Sequence, residues 1–175
     1  MGSLFRRMVG AAKLQVATYE EVEADRGATG QALFVVLLSA VAIMVGDIRP
    51  GEVHLVANLV GGLLGWMTWV LLVWLVGVKL LPEAETKSDV GELIRTTGFA
   101  ATPGILRVLG IVPMLGWVVV VLAWLWTLAA MVVGVRQALD YKSTWRAVAV
   151  CVIGFGGQLL VIYLEWMVLQ AALTT

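Results

Sequence analysis

Gly98-Phe-Ala-Ala-Thr-Pro-Gly-Ile-Leu-Arg-Val-Leu-Gly-Ile-Val-Pro113 is the stretch whose reading decides the fold. It is apolar enough to enter a bilayer, yet Gly98, Pro103, Gly104, Arg107, Gly110 and Pro113 all interrupt it. Pro103 has no N–H and crowds the carbonyl four residues back, so a helix bends or breaks there. Broken backbone at membrane depth survives only where protein or a wet cavity covers it. The segment therefore needs straighter apolar neighbours packed around it.

Those neighbours are present on both sides. Uncharged or nearly uncharged runs over about 28–45, 53–81, 114–135 and 145–171 flank it, and a span needs about 20 residues. With 93–112 as the broken crossing, the expected fold is all-α: a polytopic membrane bundle of five transmembrane helices over 28–171. Residues 1–27 form a cytoplasmic segment in front of it. Composition agrees, since 61% of the 175 residues are hydrophobic and mean hydropathy is +0.94, against about 45–50% apolar residues in soluble domains. Twelve basic and twelve acidic residues cancel, which argues against a nucleic-acid surface.

The placement of the cations sets the orientation. With the N-terminus inside and five crossings, Arg6, Arg7, Lys13, Arg26, Lys79, Lys87, Arg95, Arg136, Lys142 and Arg146 lie on the cytoplasmic side. Only Arg49 and Arg107 lie outside, a strong positive-inside bias. The C-terminus then faces outward, with Trp117 and Trp166 in the outer aromatic belt and Trp145 in the inner one. Glu20, Glu21, Glu23 and Asp25 intervene before any hydrophobic core, which does not suit a cleaved signal peptide.

Between Ser3 and Thr18, Leu4, Phe5, Met8, Ala12 and Val16 recur at helical spacing beside Arg6, Arg7 and Lys13. This predicts an amphipathic interfacial helix whose cations face anionic lipid, followed by a short acidic segment. Asp47-Ile-Arg-Pro-Gly51 reads as a turn, and Ser88 or Asp89 as the N-cap of a helix from about Val90. Ser143 or Thr144 caps the last helix. Gly61 and Gly65, four residues apart, and Gly154 and Gly157 offer close helix approach.

Few residues invite chemistry. Arg107 and Glu165 fall near the outer ends of their helices and are a candidate pair, since a charge at depth is expensive alone; the alternative is that each snorkels independently to the headgroups. Gln158, Asn58 and Thr68 suit hydrogen bonding between helices. His54 is the only histidine and Cys151 the only cysteine, so neither a metal cluster nor an internal disulfide is expected. No nucleophile elbow, phosphate loop or paired intramembrane carboxylates occur. The expectation is a non-enzymatic protein with no cofactor, whose partners are membrane lipids and other membrane subunits.

Three blocks carry a resemblance. Tyr19-Glu-Glu-Val-Glu-Ala-Asp-Arg-Gly-Ala-Thr-Gly-Gln-Ala-Leu33 is the first and Thr97-Gly-Phe-Ala-Ala-Thr-Pro-Gly-Ile-Leu106 the second. The third joins Trp124-x-Trp126, Val135-Arg-Gln-Ala-Leu139 and Thr144-x-Arg146-Ala147. Together they resemble bacterial Yip1-domain proteins over roughly residues 15–155. The resemblance implies a five-helix layout with a cytosolic N-terminus in a bacterial inner membrane, and no catalytic residues. Eukaryotic relatives work in vesicle trafficking with Rab GTPases and carry an Asp-Leu-Tyr-Gly-Pro motif that this chain lacks. The expected role is a scaffold, adaptor or membrane organiser, including an accessory subunit of a respiratory or photosynthetic complex. The alternative is a small transporter or channel using the break at Pro103.

Overall fold

The computed structural model describes residues 2–46 and 55–173. The expected turn after Gly46, Arg49 and His54 lie outside the described residues, as does the side chain of Asn58. Among the described residues there are helices and no strands.

Two short helices come first, α1 (Gly2–Ala12) and α2 (Val16–Ala24), in place of the single helix expected over 3–18. Leu14 takes a left-handed conformation at φ 58° and turns the chain back on itself. Such a turn commonly ends a helix, and it lets Gln15 N–H reach the Gly10 carbonyl at 3.0 Å. Gly10 makes the return possible, because a Cβ there would collide with the Thr18 side chain. The acidic run that looked like a linker is therefore the second arm of a hairpin.

Among the described residues, four helices are long and apolar enough to cross a membrane: Arg26–Gly46, Leu59–Leu80, Gly116–Ala138 and Thr144–Met167. They correspond to α3 (Thr29–Gly46, after one 3₁₀ turn), α4 (Leu55–Trp74, continued as a π-helical turn over Leu75–Leu80), α6 (Gly116–Ala138) and α7 (Thr144–Leu173). The remaining element is the interrupted one. α5 (Val90–Ala100) opens on a capping box in which Asp89 accepts from the Glu92 N–H and Glu92 accepts from the Asp89 N–H. At Pro103 the α-helix gives way to a ten-residue 3₁₀ helix, Thr102–Ile111.

This change of pitch has a packing reason. Gly98, Gly104 and Gly110 abut Ala32, Ser39 and Gly46 of α3 in turn, so the broken element runs parallel to α3. A 3₁₀ helix has about 3.0 residues per turn, so glycines six apart return to the same face. In an α-helix the same spacing would rotate the second glycine by about 120°. On the other side α6 runs antiparallel, with Val120 near Gly110, Thr127 near Gly104 and Gly134 against the Thr96 carbonyl. The broken backbone is thus covered by α3 and α6, and residues 95–101, Pro103 and Gly104 are buried.

Two hydrophobic clusters form, both at the same end of the bundle. Val70, Val73 and Val76 of α4 meet Leu93, Val135, Leu139, Ala147 and Val150. Ala11, Tyr19 and Val22 of the hairpin meet Ala28, Ala32, Val35, Phe99, Ala100 and Ala130. At the opposite end Leu64, Ile111, Leu115, Trp117, Leu160 and Trp166 are exposed, as lipid-facing side chains would be.

Candidate functional site

The polar groups of the chain converge where the hairpin docks. Arg7, only 8% exposed, donates from Nε to Glu21 at 2.9 Å, from Nη2 to Asp25 at 2.7 Å and from Nη1 to Gln31 at 3.1 Å. Arg6 forks onto both oxygens of Glu21 at 2.7 and 2.6 Å. In a straight helix neither arginine could reach these carboxylates; the turn at Leu14 brings them together. The hydrogen bonds from Arg6 and Arg7 hold the Glu21 carboxyl down at about 2, and the Arg7 hydrogen bond lowers Asp25 as well.

Arg95 of α5 fastens the second arm. It is buried, and its guanidinium donates to the backbone carbonyls of Val22 (3.1 Å) and Glu23 (2.9 Å) at the end of α2. A cation there satisfies carbonyls that have no partner inside the helix and opposes the negative end of its dipole. Glu23 itself is half-buried and stands near Asp140 and Glu92. Burial first, then these two carboxylates, push it up to about 7. Further along, Tyr19 Oη donates to the Ala11 carbonyl at 3.0 Å and Trp126 Nε1 to the Ala12 carbonyl at 2.7 Å. Gln137 of α6 donates to Glu20 at 3.4 Å.

A second polar cluster ties the loops at the same end. Tyr141 Oη donates to the Gly77 and Leu81 carbonyls, at 3.0 and 2.6 Å, closing the π-helical turn of α4. A shallow cleft of about 320 Å³ lies between Pro82–Glu85 and Lys142 and Arg146. Its charges are paired across it, Lys142 with Glu85 at 3.0 Å and Arg146 with Glu83 at 3.6 Å.

The residues singled out in the sequence divide accordingly. Gly98, Pro103 and Gly104 meet at the α3–α6 seam. Gly65, Gly154 and Gly157 lie between α4 and α7, beside Gln158, Val73 and Leu72 respectively, whereas Gly61 has open space around it. Gln158 Oε1 and Trp66 Nε1 are buried without a hydrogen-bond partner, so the amide does not link the helices as expected. Arg107 and Glu165 are not an ion pair: Arg107 is half-buried against α3, while Glu165 is exposed far along α7, which packs on α4 and α6. Arg7 points into the hairpin and Arg6 is held by Glu21, so of the three cations expected to face lipid only Lys13 has no carboxylate partner among the described ion pairs. Arg95, Tyr19, Trp126, Glu21 and Asp25 were not anticipated as a set. Except for Arg95, they fall inside the sequence blocks that carry the resemblance. The first block, Phe99 and Ala100 of the second and Trp126 of the third come together at the hairpin.

Apolar helices able to span a bilayer, an interrupted element packed along two of them, and a polar clasp at one end define a polytopic α-helical membrane protein. The family model of the Yip1 domain matches residues 14–164, and the chain belongs to that family. No curated protein and no solved structure matches it.

Proposed function

We propose that the chain is a non-enzymatic membrane scaffold or adaptor that organises helices and lipid, with five crossings and its two ends on opposite sides of a bacterial inner membrane. The specialised form of this role is an accessory subunit docked on a larger respiratory or photosynthetic assembly. The observation that supports it best is the use of the charged residues. Arg6, Arg7, Arg95, Glu21 and Asp25 hold one element to another.

The fifth crossing rests on length. Eleven α-helical residues followed by ten in 3₁₀ form rise about 36 Å, against a hydrocarbon core of about 30 Å. Running beside α3 in the same direction, the element supplies a third crossing without a straight helix. Thiol labelling of cysteines placed near each end, in intact and permeabilised cells, tests this. Finding both ends in one compartment removes the fifth crossing. Affinity purification from native membranes tests the role, with a stoichiometric membrane partner expected. A chain that solubilises alone in mild detergent counts against the subunit form. Transport through the break draws no support from Pro103 and Gly104, which are packed against α3 and α6.

A further inference from the structure

We propose that the α1–α2 hairpin is a wedge seated in one leaflet of the bilayer, so that the protein prefers membranes curved with that leaflet on the convex side. The inference rests on the reading of the chain as a membrane organiser and specifies what it acts on, the lipid surface itself.

The end of α1 is built for a dry setting. A helix leaves its last four carbonyls without intrahelical partners, and in water the solvent meets them. Here each has a donor from the protein. Val9 accepts from Lys13 N–H, Gly10 from Gln15 N–H, Ala11 from Leu14 N–H and Tyr19 Oη, and Ala12 from Trp126 Nε1. Complete internal satisfaction is what hydrocarbon demands of backbone.

The depth of the tip agrees. Trp126 stands ten residues from Arg136 on α6, about 15 Å along the axis and so roughly half the hydrocarbon thickness. α1 also packs against the 3₁₀ helix Thr102–Ile111. Phe5 and Val16 on the outer side of the hairpin are 70% and 43% exposed, apolar surface that the acyl chains of a leaflet would cover. α2 opens without a side-chain cap at Gln15, and the Thr18 N–H turns back to the Gln15 carbonyl at 3.0 Å.

The consequence is a difference in cross-section. Among the described residues seven helical elements meet at the hairpin end: α1, α2 and the adjoining ends of α3 to α7. Five reach the other. The largest fully buried side chains, Tyr19, Phe99, Leu93 and Leu139, all belong to the wider end. A body wider in one leaflet is accommodated best where that leaflet is expanded, and inserted amphipathic segments are sensitive to curvature for this reason.

The test uses the full-length chain in lipid alone. The protein is reconstituted at low density in giant vesicles, and molecules with the hairpin end outward are selected by labelling an accessible amino terminus. Thin tubes are then drawn from the vesicles. The density ratio of tube to parent vesicle is expected to rise about twofold or more. In the double variant Tyr19→Phe, Trp126→Phe, which lacks both side-chain donors to the end of α1, it should fall toward one. A ratio near one for the native chain, or an undiminished ratio in the variant, overturns the proposal. A polarity-sensitive fluorophore on Lys13→Cys in a Cys151→Ala background gives an independent reading. Emission typical of lipid supports the wedge, and emission typical of water refutes it. Because no partner protein is present, a failure here is distinct from a failure to find a partner in native membranes.

Discussion

Glu23 and Glu21 lie two residues apart on one helix and titrate in opposite senses. The Glu23 carboxyl is raised to about 7 from an ordinary 4.5, because burial and the nearby Asp140, Glu92 and Glu20 outweigh the attraction of Arg95. The docked hairpin binds that proton more tightly than the undocked one. Its contribution is therefore fully present below pH 4.5 and lost as pH rises through 7. Glu21, held at about 2 by Arg6 and Arg7, contributes above 4.5, and that contribution disappears as pH falls toward 2. Docking should be firmest near pH 4.5 and weaken progressively as pH rises toward 7. Amide exchange of α2, corrected for intrinsic rates, is expected to speed up from pH 6 to pH 8 in the native chain. In Glu23→Gln it should not change. Arg95 offers a second test at this scale. Replacing it with methionine keeps the stem but strands the carbonyls of Val22 and Glu23, at a cost of about 2 kcal/mol. Thermal unfolding in detergent would reveal the loss, and an unchanged midpoint would mean that the contact carries no energy.

Among the elements, the broken segment makes the sharpest demands. Gly104 is buried against Ser39 and Thr127, so Gly104→Val must push α3 and the 3₁₀ helix apart and should cost about 1–3 kcal/mol. A Cβ at Gly61 meets nothing within 4 Å, so Gly61→Val should leave the unfolding midpoint unchanged. Equal effects of the two substitutions would contradict the packing described. Pro103→Ala restores an N–H, yet the glycine register against α3 still favours three residues per turn. The variant should fold with a modest loss of stability, and a sealed break should leave any adaptor function intact. Thr96, Thr97, Thr102 and Thr127 donate to carbonyls three or four residues back, so the seam presents few free polar groups.

Across the whole molecule, packing is concentrated at the hairpin end, while the far halves of α4 and α7 leave apolar surface to the lipid. One consequence concerns the two charges expected to pair. Since Arg107 and Glu165 sit on elements that do not meet in an ion pair, Arg107→Leu and Glu165→Gln should act additively on stability, within about 0.5 kcal/mol. A larger coupling in the double mutant would place the two side chains together. Alanine at Glu165 alone is expected to leave the fold unchanged, because that side chain is exposed.

Most of the helical architecture was legible in the chain itself. Long uncharged runs cannot be anything but helices in lipid, where every backbone polar group must be satisfied locally. Pro103 marked the break, and of Ser88 and Asp89, the two candidate caps, Asp89 is the one used. Tertiary structure decided what depends on residues far apart. The hairpin needed Leu14 to accept a left-handed turn, and only then could Glu21 and Asp25 meet Arg6 and Arg7. The 3₁₀ pitch needed the glycines of one segment to find Ala32, Ser39 and Gly46 of another. A local pattern records which backbone a segment can adopt. It holds no information on which distant surface the segment will meet, and here that meeting determined which charges face lipid and which are locked inside.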